Sequence, residues 1–246
     1  MSVQLYDEIG EAFEGFKGLP LARYAEVPAF LALVGDVRGR SVLDLASGTG
    51  FYSREFKRRG AADVLGVDIS GEMVAVARGM EEREPLGLRY EVGDVARLRP
   101  LGRRFDVATA VQLLNYAEDE AAMERMCRAV HRSLAPGAEF FLLHQTPDYR
   151  FDGPPLDKYG FRSELAGEEG GTGPRVRITA LLEPPIAFVT NCPRREAYER
   201  CLPAAGFSEL TWVPLTVSDA GVRALGADFW EDLLANPPLQ MLRCRA

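Results

Sequence analysis

Histidine is nearly absent from this 246-residue chain, which holds only His131 and His144. Two histidines exclude a histidine-rich metal centre, and no metal is expected. The four cysteines, Cys127, Cys192, Cys201 and Cys244, are scattered and form no Cys-x-x-Cys pair. That usage reads as reduced thiols in a cytoplasmic protein, and it excludes a disulfide framework. No run reaches the roughly 18 consecutive apolar residues of a membrane-spanning helix. The acidic start, MSVQLYDEIGEAFEGFK, lacks the apolar core of a signal peptide. Basic clusters are missing as well. The net charge is −7, and the densest basic stretch, RREAYER at 194 to 200, mixes signs like a solvated helix face. A phosphate backbone calls for a basic face, so neither nucleic acid nor membrane is expected as a partner. The chain is read as a monomer or homodimer.

What is present is a pattern of alternating strands and helices from about residue 41. VLDLA at 42 to 46 reads as a first strand, and ADVLGVDI at 62 to 69 as a second. LRYEVGD at 88 to 94, FDVATAVQLL from 105 and EFFLLH at 139 to 144 read as three more. Helices are expected from Phe51 to Arg59, from Ser70 to Arg83 and from Asp119 to Leu134, the last stopping at Pro136-Gly137. Repeated βα units with short loops make a parallel sheet with right-handed crossovers and helices on both faces. The later part is less regular. Residues 146 to 174 show no clear element. RVRITALLE and IAFVTNC read as an antiparallel pair, and ELTWVPL and LQMLRCR as the last two strands. Residues 38 to 246 are expected to form one domain with a substrate-side insertion at 146 to 192. Residues 1 to 37 are expected to form a helical lid.

The chemistry lies in the glycine-rich turn of SVLDLASGTGFYS, where a strand passes directly into a helix. Glycines let the backbone approach a ligand closely, and the free N–H groups of a helix N-terminus point at it. Asp44 stands just before these glycines, which favours a ligand with a cationic amino-acid end over a diphosphate. Asp44, Asp68 and Asp94 stand at the ends of the first three strands. Asp68 follows Gly50 by 18 residues, the interval at which a second-strand acid meets ribose hydroxyls. Glycine turn and acids in this order point to an adenosine ligand. The dinucleotide fingerprint G-x-G-x-x-G/A is met only approximately, because Ser53 follows Gly48-Thr49-Gly50-Phe51-Tyr52, and no phosphate-binding G-x-x-x-x-G-K-[ST] loop occurs.

These motifs resemble those of the class I S-adenosylmethionine-dependent methyltransferases. DLASGTG matches the family's D/E-x-G-x-G-x-G motif with Ala46 at the first glycine position; GVDIS, GDV and FDVATAVQLLNYA match the motifs of the next three strands. The resemblance implies a Rossmann-like, doubly wound α/β fold with a seven-stranded sheet, mostly parallel, whose last strand is antiparallel. It implies S-adenosylmethionine as cofactor and S-adenosylhomocysteine as product. Asp44 and the backbone of Ala46, Ser47, Gly48 and Gly50 would hold the methionine part. Asp68 would bind the ribose. Ile69 and Met73 would pack on adenine beside Gly93, Asp94 and Val95. Val111 and Gln112 would lie beside the sulfonium. YDEIGEAFEGFK, LLNYA, MCRAV, KYGF and FWEDLLANPP further resemble the toxoflavin-synthase-like N-methyltransferases of bacterial secondary metabolism. That likeness implies a small heterocycle as acceptor and a role in antibiotic biosynthesis.

Several residues carry separate expectations. His144, at the C-terminal edge of the fifth strand, is the candidate general base; otherwise it only hydrogen-bonds in the loop. Tyr6 and Phe13 share a helical face that would close over the cofactor. Arg23 would pair with the methionine carboxylate. Tyr116, Tyr149, Tyr159 and Phe161 would wall an aromatic pocket for a planar acceptor, whereas Trp212 reads as core. Three alternatives stay open: an O-methyltransferase, an NAD(P)-dependent oxidoreductase, and a non-catalytic adenosyl-ligand-binding protein.

Overall fold

The computed structural model describes residues 14–167 and 170–246. Tyr6 and Phe13 lie outside the described residues.

Seven strands form one sheet in the order β3-β2-β1-β4-β5-β10-β9. They are β1 (Ser41–Leu45), β2 (Asp63–Asp68), β3 (Arg89–Val92), β4 (Phe105–Val111), β5 (Leu134–Gln145), β9 (Ser208–Pro214) and β10 (Leu239–Arg245). β1 pairs in parallel with both β2 and β4, whereas β10 runs antiparallel to β5 and β9. Strand order therefore reverses between β1 and β4, and the loops that leave these two strands open a crevice at their C-terminal ends. The fold is the Rossmann-like α/β class expected.

The central strands are apolar on both faces because both are covered. Val42 and Val64 pack on one side with Phe56 and Phe30, while Leu43, Leu45 and Phe140 pack on the other. Burying each such aromatic or leucine side chain contributes about 1.5–3 kcal/mol. The helices are α1 (Val27–Val34), α2 (Phe51–Arg58), α3 (Gly71–Arg83), α4 (Glu120–Ser133), α5 (Arg195–Ala204), α6 (Asp219–Leu225) and α7 (Glu231–Ala235). Ser70 caps α3 by accepting from the Met73 N–H, and Asp119 caps α4 by accepting from the Ala122 N–H. Upstream of α1, residues 14–18 form a 3-10 turn and residues 22–26 a π-helical turn, so this part of the N-terminal segment is less regular than the helix expected.

Two local expectations need correction. Helix α4 ends at Ser133 and β5 begins at Leu134, so Pro136-Gly137 sits inside the strand's irregular start, with Gly137 at φ 77° and a register shift against β4. Residues 146 to 174 contain a 3-10 turn (Asp157–Tyr159) and a strand, β6 (Phe161–Leu165). β6 pairs with β7 (Arg175–Ala180), which pairs with β8 (Ile186–Asn191), giving a separate antiparallel sheet. FRSEL buries only Phe161 among five residues, so no alternating pattern marks it as a strand.

The glycine turn rests on an aromatic ring. A Cβ at Gly50, whose φ is 82°, would lie 2.3 Å from the Tyr90 hydroxyl, and one at Gly66 would lie 2.6 Å from its ring. Gly50→Ala should destabilise the protein by about 2–4 kcal/mol, from left-handed backbone strain and overpacking together. Urea denaturation measures the loss; a change below about 0.5 kcal/mol would remove Tyr90 as the floor of the turn.

Candidate functional site

The crevice at the strand switch opens into a cavity of about 890 Å3. One wall is the turn after β1, where Ala46 adopts φ 53°, so the family's glycine preference at that position has a conformational cause. Asp68 holds this wall in place. Its carboxylate accepts from the Gly48 N–H at 2.8 Å and from the Ser70 N–H at 2.9 Å, joining the turn to the head of α3. Asp94 accepts from the Ala96 N–H at 2.8 Å and faces Arg97, so it caps its own turn while bordering the cavity.

Among the expected cofactor residues, Ala46, Ser47, Gly48, Asp68, Ile69, Met73, Gly93, Asp94, Val95, Val111 and Gln112 line this one cavity. Tyr116, Tyr149 and Phe161, the expected acceptor residues, line the same cavity. The Ser47 hydroxyl and Gln112 Oε1 are buried in its wall without partners among the described residues. Gln112 has φ 56°, a backbone strain of the kind concentrated at functional sites.

Other expected residues lie elsewhere. Gly50 sits behind the wall, on Tyr90. Asp44 is buried beneath the turn, accepting from Ser53 Oγ at 2.6 Å and Thr109 Oγ1 at 2.8 Å. Burial pushes its carboxyl up to about 6, with the charge of Asp68 adding to the rise and the two hydroxyls opposing it. Tyr159 is core: its hydroxyl donates to the Phe229 carbonyl, accepts from the Leu233 N–H, and its ring stacks on Trp230. Arg23 is exposed and stacks on Tyr24, 5.2 Å from the ring centroid, away from the cavity.

His144 also needs correction. Side chains alternate along β5, and Gln145 faces the cavity while His144 faces the opposite side. There its ring stacks on Tyr198 at 4.4 Å and meets Trp212 edge-on. Nδ1–H donates to the Gln145 carbonyl at 2.7 Å. Burial lowers its pKa to about 4, and the Arg195 charge adds to that drop. A histidine in this place is a packing residue.

The segment before α1 was expected to act as a lid, but not through the side chains it brings to the cavity. Lys17, Glu26 and Phe16 line the cavity. Lys17 pairs with Glu26 and lies over the Tyr52 ring, and the Tyr52 hydroxyl donates to Glu26 at 2.9 Å. Glu14 bridges to Arg54 at 2.9 Å and accepts from the Thr49 hydroxyl, which ties the segment down onto the glycine turn. Asn115, Gln145, Ile178, Phe188 and Thr190 were missed as well. Asn115 stands inside the LLNYA motif, which was the one available signal.

Residues 42–137 match a family model described as a methyltransferase domain. An S-adenosylmethionine-dependent methyltransferase from Mesorhizobium loti is 25% identical, with a TM-score of 0.65 over 94% of this chain and all of that one. The CcbJ methyltransferase from Streptomyces caelestis shares the fold, at 19% identity and a TM-score of 0.67 over 100% of this chain and 99% of its own. A ubiquinone biosynthesis O-methyltransferase from Coxiella burnetii is 32% identical over 105 residues, 43% of each chain. The match thus spans less than half the length of these curated relatives. No helix among the described residues is long and apolar enough to cross a membrane.

Two buried groups give opposite pH dependences. Asp44 has a folded pKa near 6, above its ordinary 3.8, so the folded state holds the extra proton and stability falls as pH rises from about 4 to 6. His144 has a folded pKa near 4, below its ordinary 6.5, so stability rises over about pH 4 to 6.5. Each contribution is about 3 kcal/mol, and the two largely offset. Relative to the parent, Asp44→Asn should therefore gain stability as pH rises from 4 to 6, and His144→Gln should lose it. Thermal melts across this range check both signs; parallel curves for all three proteins would refute the assignment.

Proposed function

We propose that this chain is an S-adenosylmethionine-dependent methyltransferase that methylates a small molecule, on a ring nitrogen of a heterocycle of bacterial secondary metabolism. The observation that carries the reading is the convergence on one cavity of the glycine turn, Asp68, Asp94 and the Val111–Gln112 corner. The cavity wall fits the cofactor chemically. Asp68 offers carboxylate oxygens to ribose hydroxyls, Ile69 and Met73 offer apolar area to adenine, and the Ser47 hydroxyl offers a buried polar atom.

S-adenosylmethionine supplies a methyl group already activated by its sulfonium, so no Lewis acid is needed. The chain's own residues align the two reactants and exclude water. The segment from Phe16 to Glu26 covers the glycine turn, and we assign it, with the residues before it, the role of the lid. Strands β6 to β8, within the insertion at 146 to 192, form the acceptor wall. Phe161, Tyr149, Tyr116 and Phe188 give this end an aromatic surface for a planar ring. We further read the enzyme as cytoplasmic, monomeric or homodimeric, and without nucleic-acid partners, which the net charge of −7 supports.

A second reading, O-methylation of a small molecule, is favoured by the names of the curated relatives. A hydroxyl acceptor needs a base to remove its proton. His144 faces away from the cavity, which weighs against it in that role.

Calorimetry tests the proposal. S-adenosylhomocysteine should bind in the micromolar range and NADH should not; NADH binding alone would refute the proposal. Asp68→Ala should weaken S-adenosylhomocysteine by about 100-fold, since it removes charge-assisted hydrogen bonds and loosens the turn. His144→Ala should change the affinity by less than about threefold, as expected for a side chain outside the cavity.

A further inference from the structure

The Thr190 hydroxyl of β8 holds the loop after β4 at Asn115. Thr190 Oγ1 donates toward the Asn115 carbonyl at 3.1 Å, with the Asn191 carbonyl at 3.5 Å as a second acceptor. Its one proton is used on these carbonyls, so toward the Asn115 side chain it can only accept. It does so from Nδ2 at 2.7 Å. This fixes an amide orientation that would otherwise be open. Nδ2 faces Thr190, and Oδ1 is left buried with no partner among the described residues. Asn115 is 0% exposed, and both residues line the cavity.

A buried carbonyl oxygen without a donor costs about 1–3 kcal/mol. A ligand N–H removes that cost. We propose that Asn115, oriented by Thr190, is the specificity-determining acceptor of this site, and that it selects heteroaromatic cyclic amidines, rings in which an N–H nitrogen is conjugated to the nitrogen that is methylated. The inference rests on the methyl-transfer reading above and adds to it the group that recognises the acceptor.

The chemistry distinguishes such a ring from a phenol. A carbonyl oxygen accepts a hydrogen bond but does not remove a proton, so it would hold a phenol in its weakly nucleophilic neutral form. In a cyclic amidine, the lone pair of the unprotonated nitrogen forms the new N–C bond to the methyl carbon. The C–S bond breaks, and its electron pair stays on sulfur as a neutral thioether. Positive charge spreads through the ring to the N–H, which then loses its proton to water, leaving a neutral N-methyl product. The N–H···Oδ1 bond strengthens as that charge develops, so it stabilises the transition state more than the ground state. Gln112 presents a second amide to the same cavity, with Oε1 also buried and unpartnered among the described residues.

The test compares matched ligands on the full chain saturated with S-adenosylhomocysteine. Benzimidazole, hypoxanthine and lumazine are each titrated beside the form in which every ring N–H is N-methylated. At least one N–H form should bind about 10-fold more tightly than its partner, as expected for a buried acceptor left unpaired by the analogue. Asn115→Leu should reduce that preference to within about twofold, while S-adenosylhomocysteine affinity stays within about threefold. Thr190→Val frees the amide to rotate and should reduce the preference by about threefold; it carries the test if Asn115→Leu fails to fold. A merely structural asparagine would lower both ligands of a pair equally. The inference is overturned if no N–H form is preferred, if none of these rings binds, or if the preference survives both variants. Failure of the parent protein to bind S-adenosylhomocysteine would instead overturn the methyl-transfer reading.

Discussion

The Asp68 carboxylate accepts one backbone N–H from the glycine turn and one from the head of α3. Both loops at the C-terminal edge of β1 and β2 take their shape from this clasp. Accepting from N–H donors suits a carboxylate, because each bond is charge-assisted. The same group borders the cavity, so the residue that builds the wall is also the one exposed to a ligand. Beneath it, Tyr90 fills the space that Gly50 and Gly66 leave open, and Asp44 fastens the turn to α2 and β4 through Ser53 and Thr109.

The site has two halves of different origin. One half lies on the parallel sheet, at the strand switch, and is made of short loops. The other half is assembled from the segment before α1, which lies on the glycine turn, and from the small antiparallel sheet. Each is anchored by a few polar bonds: Glu14 to Arg54 and Thr49 for the first, Asn115 to Thr190 and Asn191 to the Ala117 carbonyl for the second. The comparisons divide in the same way. The family model matches residues 42–137, whereas the small antiparallel sheet lies beyond them.

Much of the half on the parallel sheet was legible in the sequence. VLDLA, GVDI and the apolar run from Phe105 are near-continuous hydrophobic segments, as strands covered on both faces must be. Their terminal acids and the glycine turn follow at intervals set by the βα repeat. Local backbone rules place those residues, so spacing alone was enough. His144 shows the limit of the same reasoning. Its place at the end of β5 was foreseen, but one step of strand alternation decides which face a side chain takes, and it faces Tyr198. Arg23 and Tyr159 failed similarly. Each lies near the site along the chain, while packing turned one to solvent and the other into the core.

By itself, the sequence determined the doubly wound sheet, the position of its strand switch and the residues around the glycine turn. These depend on hydrophobic periodicity, helix caps and backbone conformation, which act over a few residues. Tertiary structure alone decided that Lys17 and Glu26 border the cavity, that β6 exists, and that Thr190 orients Asn115 across 75 residues of chain. Such contacts join segments whose own patterns are indifferent to one another. Only the closing of the small sheet against the β4 loop brings their polar atoms within hydrogen-bonding distance.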